Sequence, residues 1–386
     1  DAPGLANLCA NALRGAVGEF LAMEASVQNL AGGAVIQLKG RFDIQAAPCF
    51  EKALSGAFSG GSPRIIIDLA DLEYIGSAGV RSLLVAWKRA QAEDRFVELI
   101  RARPDVKKVL MVVGLGDLLP VSDGVMQIMD LFRQDNPQNH QALNNARTFL
   151  ADLFMALGIE ARRAREVVKE IFTTCQALPT LAGIESELKS ALRELKLSDR
   201  IRDSLSDRSR IIHGQIAPHL GVGSLLDIGA GDGAIGAAFG AGGRHVQLMD
   251  VVDYNRTGLP FALYDGMTIP FPDKSFDNAL LIVVLHHCAD PLRVLREARR
   301  VARRRIVVIE SVYLSEPNRR FNMFFDWFYN RVLHDGVPVP FNFNSPEGWE
   351  HIFRREGFEV AASVDIGLDQ VTVPEYHWLY ALDIPA

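Results

Sequence analysis

The residues best placed for chemistry lie between Leu225 and Gly236, which read Leu-Leu-Asp-Ile-Gly-Ala-Gly-Asp-Gly-Ala-Ile-Gly. An apolar run from Leu225 to Ile228, carrying Asp227, breaks into Gly229, Gly231 and Gly233 before apolar residues resume. This is the pattern of a strand, a tight turn and a helix, in which glycine permits backbone conformations and a ligand approach that a Cβ would block. Unpaired N–H groups at the start of the helix favour a polar or anionic ligand group. Asp250 closes a short apolar strand, His245 to Met249, where its carboxylate can accept both hydroxyls of a ribose. His286 and His287 end a strand spanning Ala279 to Leu285, and either could carry a proton for a reacting hydroxyl or amine. Gly231, Gly233 and Gly236 also spell G-x-G-x-x-G, with Asp250 nineteen residues beyond Gly231, so a dinucleotide remains an alternative ligand.

The Asp-x-Gly-x-Gly-x-Gly form beginning at Asp227 resembles the first motif of class I S-adenosylmethionine (SAM) methyltransferases. Downstream come Asp265-Gly266, then Ile269-Pro270-Phe271-Pro272-Asp273-Lys274-Ser275-Phe276-Asp277, a strand, and His286-His287-Cys288-Ala289-Asp290-Pro291. This succession resembles the small-molecule methyltransferase pattern LPF-x-D-x-SFD, strand, hH-x-x-D-P. The resemblance implies that Asp227 and the glycines hold the methionine and sugar parts of SAM, Asp250 the ribose and Asp265 the adenine amino group. It extends the cofactor set to Ala230, Val251, Gly266 and Leu285. It also implies a Rossmann-like domain with a mostly parallel seven-stranded sheet over residues 205–386. Methyl transfer from a sulfonium is an in-line displacement that depends mainly on positioning, with His286 or His287 as the base where one is needed. The structural alternative for both histidines is packing beneath the cofactor.

The elements that must position these residues belong to a chain of 386 residues, long enough for two or three domains. A net charge of −6 gives no general electrostatic reason to bind nucleic acid or an anionic membrane. The four cysteines, Cys9, Cys49, Cys175 and Cys288, form no C-x-x-C pair, so neither a zinc site nor a disulfide framework is expected, and no metal is assigned. A soluble protein of a reducing cytoplasm fits. No membrane span, anchor or signal peptide is read, and residues 1–22, rich in Ala and Gly, read as a tail.

Residues 23–122 read as a small α/β domain. Ala34 to Leu38 forms a strand, Gly40 to Asp43 a turn and Ala46 to Ala57 a helix. Arg64 to Leu69 forms a buried strand that leads through Tyr74-Ile75-Gly76-Ser77-Ala78-Gly79 into a helix carrying Val80, Leu83, Leu84 and Trp87. A strand from Phe96 to Ile100 and a helix near Val106 to Val113 follow. The region resembles the STAS domain of anti-sigma-factor antagonists, in which a D-S-x-G serine is phosphorylated by a partner kinase beside an acidic residue. Ser77 and Asp43 take those positions, although Gly76 stands where the family has Asp. The resemblance implies a protein partner and Ser77 as its regulatory phosphorylation site; the alternative role for Ser77 is a helix N-cap.

Residues 123–204 read as a helical connector and lid, with helices from Leu143 to Leu157, Ala161 to about Thr174 and Glu185 to Leu197. After Arg305 to Ile309 comes an insertion, Phe321 to Phe343, dense in aromatics. It reads as a packed lid; if it lined a pocket, the methyl acceptor would be apolar or aromatic. The strands Phe358 to Ile366 and His377 to Leu382 close the chain. Two functional readings follow: a SAM-dependent methyltransferase acting on a small molecule under STAS control, or a partner-switching regulator that binds SAM or a signal without turnover. A dehydrogenase, a third reading, lacks a second catalytic domain.

Overall fold

The computed structural model describes residues 23–29, 33–61, 64–93, 95–113, 115, 128, 131–132, 137–178, 180–195, 208–333, 339–370 and 373–385. The tail read at residues 1–22 and the end of the third connector helix at Leu197 lie outside them. The chain divides into two compact units, Asp1–Pro120 and Val121–Ala386. Among the described residues no helix is long and apolar enough to cross a membrane.

In the first unit, β1 (Glu24–Asn29), β2 (Ala34–Phe42), β3 (Arg64–Ile75) and β4 (Phe96–Ile100) form one sheet in that order. β1 runs antiparallel to β2, while β2, β3 and β4 are parallel. Ile65, Ile66 and Ile67 are wholly buried, as a β-branched run in a sheet covered on both faces should be. α1 (Ala47–Ser59) buries Phe50, Ala53, Leu54, Ala57 and Phe58 at helical spacing, and α2 (Ser77–Ala92) buries Leu83, Ala86 and Ala90. α3 (Pro104–Val112) follows β4. The sequence reading ends the second strand at Leu38 and places a turn at Gly40 to Asp43. Instead β2 continues to Phe42, because β3 runs on to Ile75 and offers it a partner through Phe42↔Ile75, with register shifts absorbing the mismatch. β1 is an element that the sequence reading does not identify.

In the second unit, α4 (Pro137–Ala156), α5 (Ala161–Ala177), α6 (Leu181–Glu194) and α7 (Arg208–Ile216) precede the sheet. α6 starts earlier than the sequence suggests because the Thr180 hydroxyl caps it, accepting from Gly183 N at 3.2 Å. The core is a seven-stranded sheet. It contains β5 (Leu225–Ile228), β6 (Val246–Asp250), β7 (Phe261–Leu263), β8 (Phe276–Ile282), β9 (Ala302–Val312), β10 (Glu359–Gln370) and β11 (Val373–Asp383), in the order β10-β11-β9-β8-β5-β6-β7. β7, β6, β5, β8 and β9 are parallel, and the β10–β11 pair is antiparallel. From β5 the chain builds outward through β6 and β7, then returns to place β8 on the other side of β5. That reversal opens a crevice beyond the carboxyl ends of β5 and β8, where open α/β sheets take their ligands.

α8 (Ala234–Gly240) and α9 (Pro291–Val301) follow β5 and β8, α10 (Glu316–Trp327) follows β9, and α11 (Pro346–Arg355) precedes β10. The aromatic insertion is packed core. Phe149 of α4 meets Phe321, Phe325 and Phe328 at centroid distances of 6.1, 5.2 and 6.2 Å, and Phe172 of α5 meets Phe324 at 6.0 Å. Phe321, Phe324, Phe325, Trp327, Phe328, Tyr329, Phe341 and Phe343 of the insertion are all buried. The connector helices thus pack against the sheet domain through this seam and share one unit with it.

Candidate active site

β5 delivers the chain into a turn in which Gly229 and Gly231 have φ of +71° and +55°. A Cβ on Gly229 would lie 2.5 Å from Val284 Cγ2, whereas one on Gly231 would meet nothing within 4 Å. The turn is therefore pressed against the β8 exit on one side and open on the other. Gly231 N–H donates to Asp250 Oδ2 at 2.8 Å, and Val251 N–H donates to Asp250 Oδ1 at 2.6 Å. The carboxylate at the end of β6 thus ties the glycine turn to its own strand. Asp265 Oδ1 accepts from Thr268 N at 2.7 Å and Met267 N at 2.8 Å, and these two bonds hold its pKa below the usual carboxylate value.

A cavity of about 430 Å³ opens between these groups, of a size suited to a small ligand. Its walls are Gly229, Gly231, Asp250, Val251, Val252, Tyr254, Tyr264, Asp265, Gly266, Met267, Val283, Val284, His287, Cys288 and Ala289. Seven residues singled out from sequence are thereby brought together: Gly229, Gly231, Asp250, Val251, Asp265, Gly266 and His287. Asp227, Ala230, Gly233, Leu285 and His286 are not among the lining residues. Gly233 is the N-cap of α8, and Leu285 is buried.

Asp227 lies beneath the turn with Oδ2 unpartnered, and burial pushes its pKa up to about 7 against the bond from Gly236 N–H. The β8 strand begins at Phe276 and ends at Ile282, earlier at both ends than the sequence suggests. Val283 takes φ +59° and residues Leu285–His287 form a 3₁₀ turn, which directs the two histidines differently. His286 is 1% exposed, with Nδ1 2.7 Å from Glu310 Oε2. Burial alone would lower its pKa; the charge and hydrogen bond of Glu310 outweigh this and raise it to about 9. His287 alone of the pair reaches the cavity wall. Cys288 reaches it too, but burial holds its thiol at about 12, so it stays protonated and is no nucleophile at neutral pH.

Sequence reasoning misses Glu310, which accepts from Val284 N at 3.0 Å and Leu285 N at 2.6 Å besides holding His286. An acid following the apolar run Ile306 to Ile309 was the available signal. It also misses Tyr254, Tyr264 and Met267, apolar wall residues in loops where no periodicity marks them. None of the described residues of the aromatic insertion appears in the lining, so the condition for inferring an apolar acceptor is not met.

In the first unit, Ser77 is exposed in the first turn of α2. The N-cap is Gly76, without a side-chain hydrogen bond, so the cap role considered for Ser77 is corrected: Gly76 holds that position and Ser77 is the first helical residue. Asp43 Oδ1 accepts from Gln45 N at 3.0 Å, and Gly76 N–H donates to Phe42 O at 2.9 Å, which brings the two loops side by side.

Residues 26–120 match the family described as Mlab, STAS domain, and residues 226–308 match the methyltransferase domain family. A STAS-domain-containing protein of Pseudomonas aeruginosa is 30% identical over 88 residues, covering 22% of this chain and 85% of that protein. The chain belongs to the STAS-domain proteins and carries a SAM-dependent methyltransferase domain. The STAS part of this fusion is also similar to a putative anti-sigma factor antagonist of Bordetella bronchiseptica. The two are 27% identical over 101 residues, or 26% of this chain and 87% of that protein. The methyltransferase part is similar to a demethylmenaquinone methyltransferase of Thermotoga maritima, 25% identical over 166 residues, which cover 36% of the fusion and 70% of that enzyme.

Proposed function

We propose that the C-terminal domain binds SAM in the cavity beyond β5, β6 and β8 and transfers its methyl group to a small molecule. The observation that carries the reading is the convergence of the open Gly231 face, the Asp250 carboxylate and Asp265–Gly266 on one cavity. A Cβ-free turn and a carboxylate at the adjacent strand end suit a nucleoside: Asp250 would accept from the ribose hydroxyls, Val251 would pack beside the base, and Asp265 would accept from the adenine amino group. SAM supplies an activated methyl on a positively charged sulfur. The protein orients it and excludes water, with the buried strand ends and Val283–Val284 forming the floor. The acceptor would approach along His287, Cys288 and Ala289, a partly polar wall, and His287 is the group there able to take a proton. His286, engaged by Glu310, would position that turn without touching the acceptor.

The STAS domain would dock a protein partner through the loops around Ser77. A phosphate there adds about −1.5 to −2 charges at a helix N-terminus, which the helix tolerates and an acidic or apolar partner does not. Phosphopeptide mapping of protein recovered from its host tests this; consistent absence of phosphate on Ser77, with unaltered partner capture by Ser77→Glu, removes the proposal.

Titration calorimetry with S-adenosylhomocysteine tests the first reading. Asp250→Ala should weaken binding by roughly 1.5–3 kcal/mol, the range for hydrogen bonds to a charged group. Binding of NADH in place of S-adenosylhomocysteine would overturn it. Binding without formation of S-adenosylhomocysteine from SAM, across candidate acceptors, would instead favour a regulator.

A further inference from the structure

Beside the cavity, and deeper than it, three side chains from two separate stretches of the chain converge. His286 and His287 leave the β8 exit, and Asp326 comes from the last turn of α10. Asp326 Oδ1 lies 3.4 Å from His287 Nε2 and 3.9 Å from His286 Nε2, and one ligating atom from each of the three residues falls within 4.8 Å of the others. We propose that His286, His287 and Asp326 form a binding site for one divalent transition-metal ion. The proposal rests on no assumption about methyl transfer, and while the ion is bound His287 Nε2 is a ligand and takes no proton.

Three features carry it. The first is distance: donors bound at about 2.0–2.2 Å in a tetrahedron lie about 3.4 Å apart, so the two spacings to Asp326 are within about half an ångström of that, and the two imidazoles, within 4.8 Å, would draw together around an ion. The second is orientation. Glu310 holds His286 Nδ1 at 2.7 Å and is itself fixed by Val284 and Leu285 N–H, which turns Nε2 toward Asp326. A carboxylate on the far nitrogen is the usual partner of a metal-ligating imidazole. The third is an unmet electrostatic need. Asp326 is 3% exposed, its Oδ1 accepts from Asn330 Nδ2 at 2.7 Å, and its Oδ2 has no hydrogen-bond partner; buried Glu375 has a similarly unpartnered Oε1. Burying a carboxylate oxygen without a hydrogen-bond donor is costly, and a divalent ion held by the same carboxylate would offset that cost.

Two imidazoles and one carboxylate suit Zn²⁺, Co²⁺, Fe²⁺ or Mn²⁺, and are poor for Ca²⁺ or Mg²⁺, which favour oxygen ligands. Three protein ligands leave a position for water or a small ligand. Because His287 lines the cavity, the ion would lie at its wall.

The experiment uses the full chain, stripped of metal by chelation and dialysed against Zn²⁺ or Co²⁺. Elemental analysis should return about one ion per chain, and Co²⁺ should give a visible ligand-field band that one equivalent of Zn²⁺ abolishes. His287→Gln and Asp326→Asn should each weaken Zn²⁺ binding at least tenfold, while His245→Gln, at an exposed histidine, should leave it unchanged. Retention well below one ion per chain, or a Co²⁺ spectrum matching aqueous Co²⁺, would overturn the site using the parent protein alone. Equal affinity in folded His287→Gln would overturn it as well. S-adenosylhomocysteine titrated into stripped and loaded protein reports on the cofactor cavity separately, so either proposal can fail while the other stands.

Discussion

The chain twice runs a strand into a helix past glycines, in the turn after β5 and in the first turn of α2 after β3, and the two sets are used in opposite ways. After β5, a Cβ on Gly231 would meet nothing within 4 Å, so the missing side chain leaves space for a ligand. After β3, a Cβ on Gly79 would lie 2.7 Å from Phe42 O and 2.8 Å from the Phe42 ring, so the missing side chain admits the protein's own backbone. One glycine makes a cavity and the other closes a core. The STAS turn therefore leaves an exposed surface around Ser77, and the methyltransferase turn leaves an interior.

Substitutions can break this contrast, and Gly231→Val should have the largest effect. Valine fills the open face and is strained at φ +55°, so S-adenosylhomocysteine affinity should fall by at least two orders of magnitude, about 2.7 kcal/mol, in calorimetry. Retained affinity would mean that the turn does not face the ligand. Gly79→Val should act on stability alone. Overpacking against Phe42 should cost about 1–3 kcal/mol in denaturant melts, and an unchanged midpoint would show that the contact relaxes freely.

Asp227 sharpens the comparison, since it sits under the open turn with an unpartnered oxygen. Its folded pKa of about 7 exceeds the ordinary carboxylate value of 3.8, so the folded state holds the proton more tightly. The stability it contributes is present at low pH and is lost as pH rises from about 4 through about 7. Asp227→Asn removes that titration and keeps an acceptor for Gly236 N–H. Its unfolding free energy should gain on the parent's between about pH 5 and pH 7.5, by roughly 2–3 kcal/mol. A constant difference across that range would show that Asp227 is ionised in the folded protein throughout. The smallest effect belongs to Ser77→Ala. An exposed residue that is not the cap should change stability by less than about 0.5 kcal/mol, whereas loss of a true N-cap would cost about 1 kcal/mol.

Much of this architecture is legible in the residues. The isoleucine run at Ile65 to Ile67, the 3.6-residue spacing in α1 and α5, and the strand–glycine–helix passage at Leu225 to Gly236 each state a local preference that the fold keeps. Element ends are less legible. β2 extends to Phe42 because β3 offers it a partner as far as Ile75, and β8 stops at Ile282 because Val283 takes φ +59°, although β9 runs on to Val312. The insertion's aromatics could be read only as apolar; their partners Phe149 and Phe172 are far away in sequence.

The sequence by itself therefore determined two α/β modules, the glycine turn and the position of Asp250, because backbone sterics and hydrophobic periodicity act over a few residues. Tertiary structure alone decided which glycine faces a cavity and which faces Phe42, and which of two adjacent histidines reaches the cavity wall. It alone brought Glu310 to His286, and Asp326 to both histidines. Those outcomes depend on how separate strands and helices pack, and no local preference encodes the distance between side chains that meet only when the sheet and α10 are assembled.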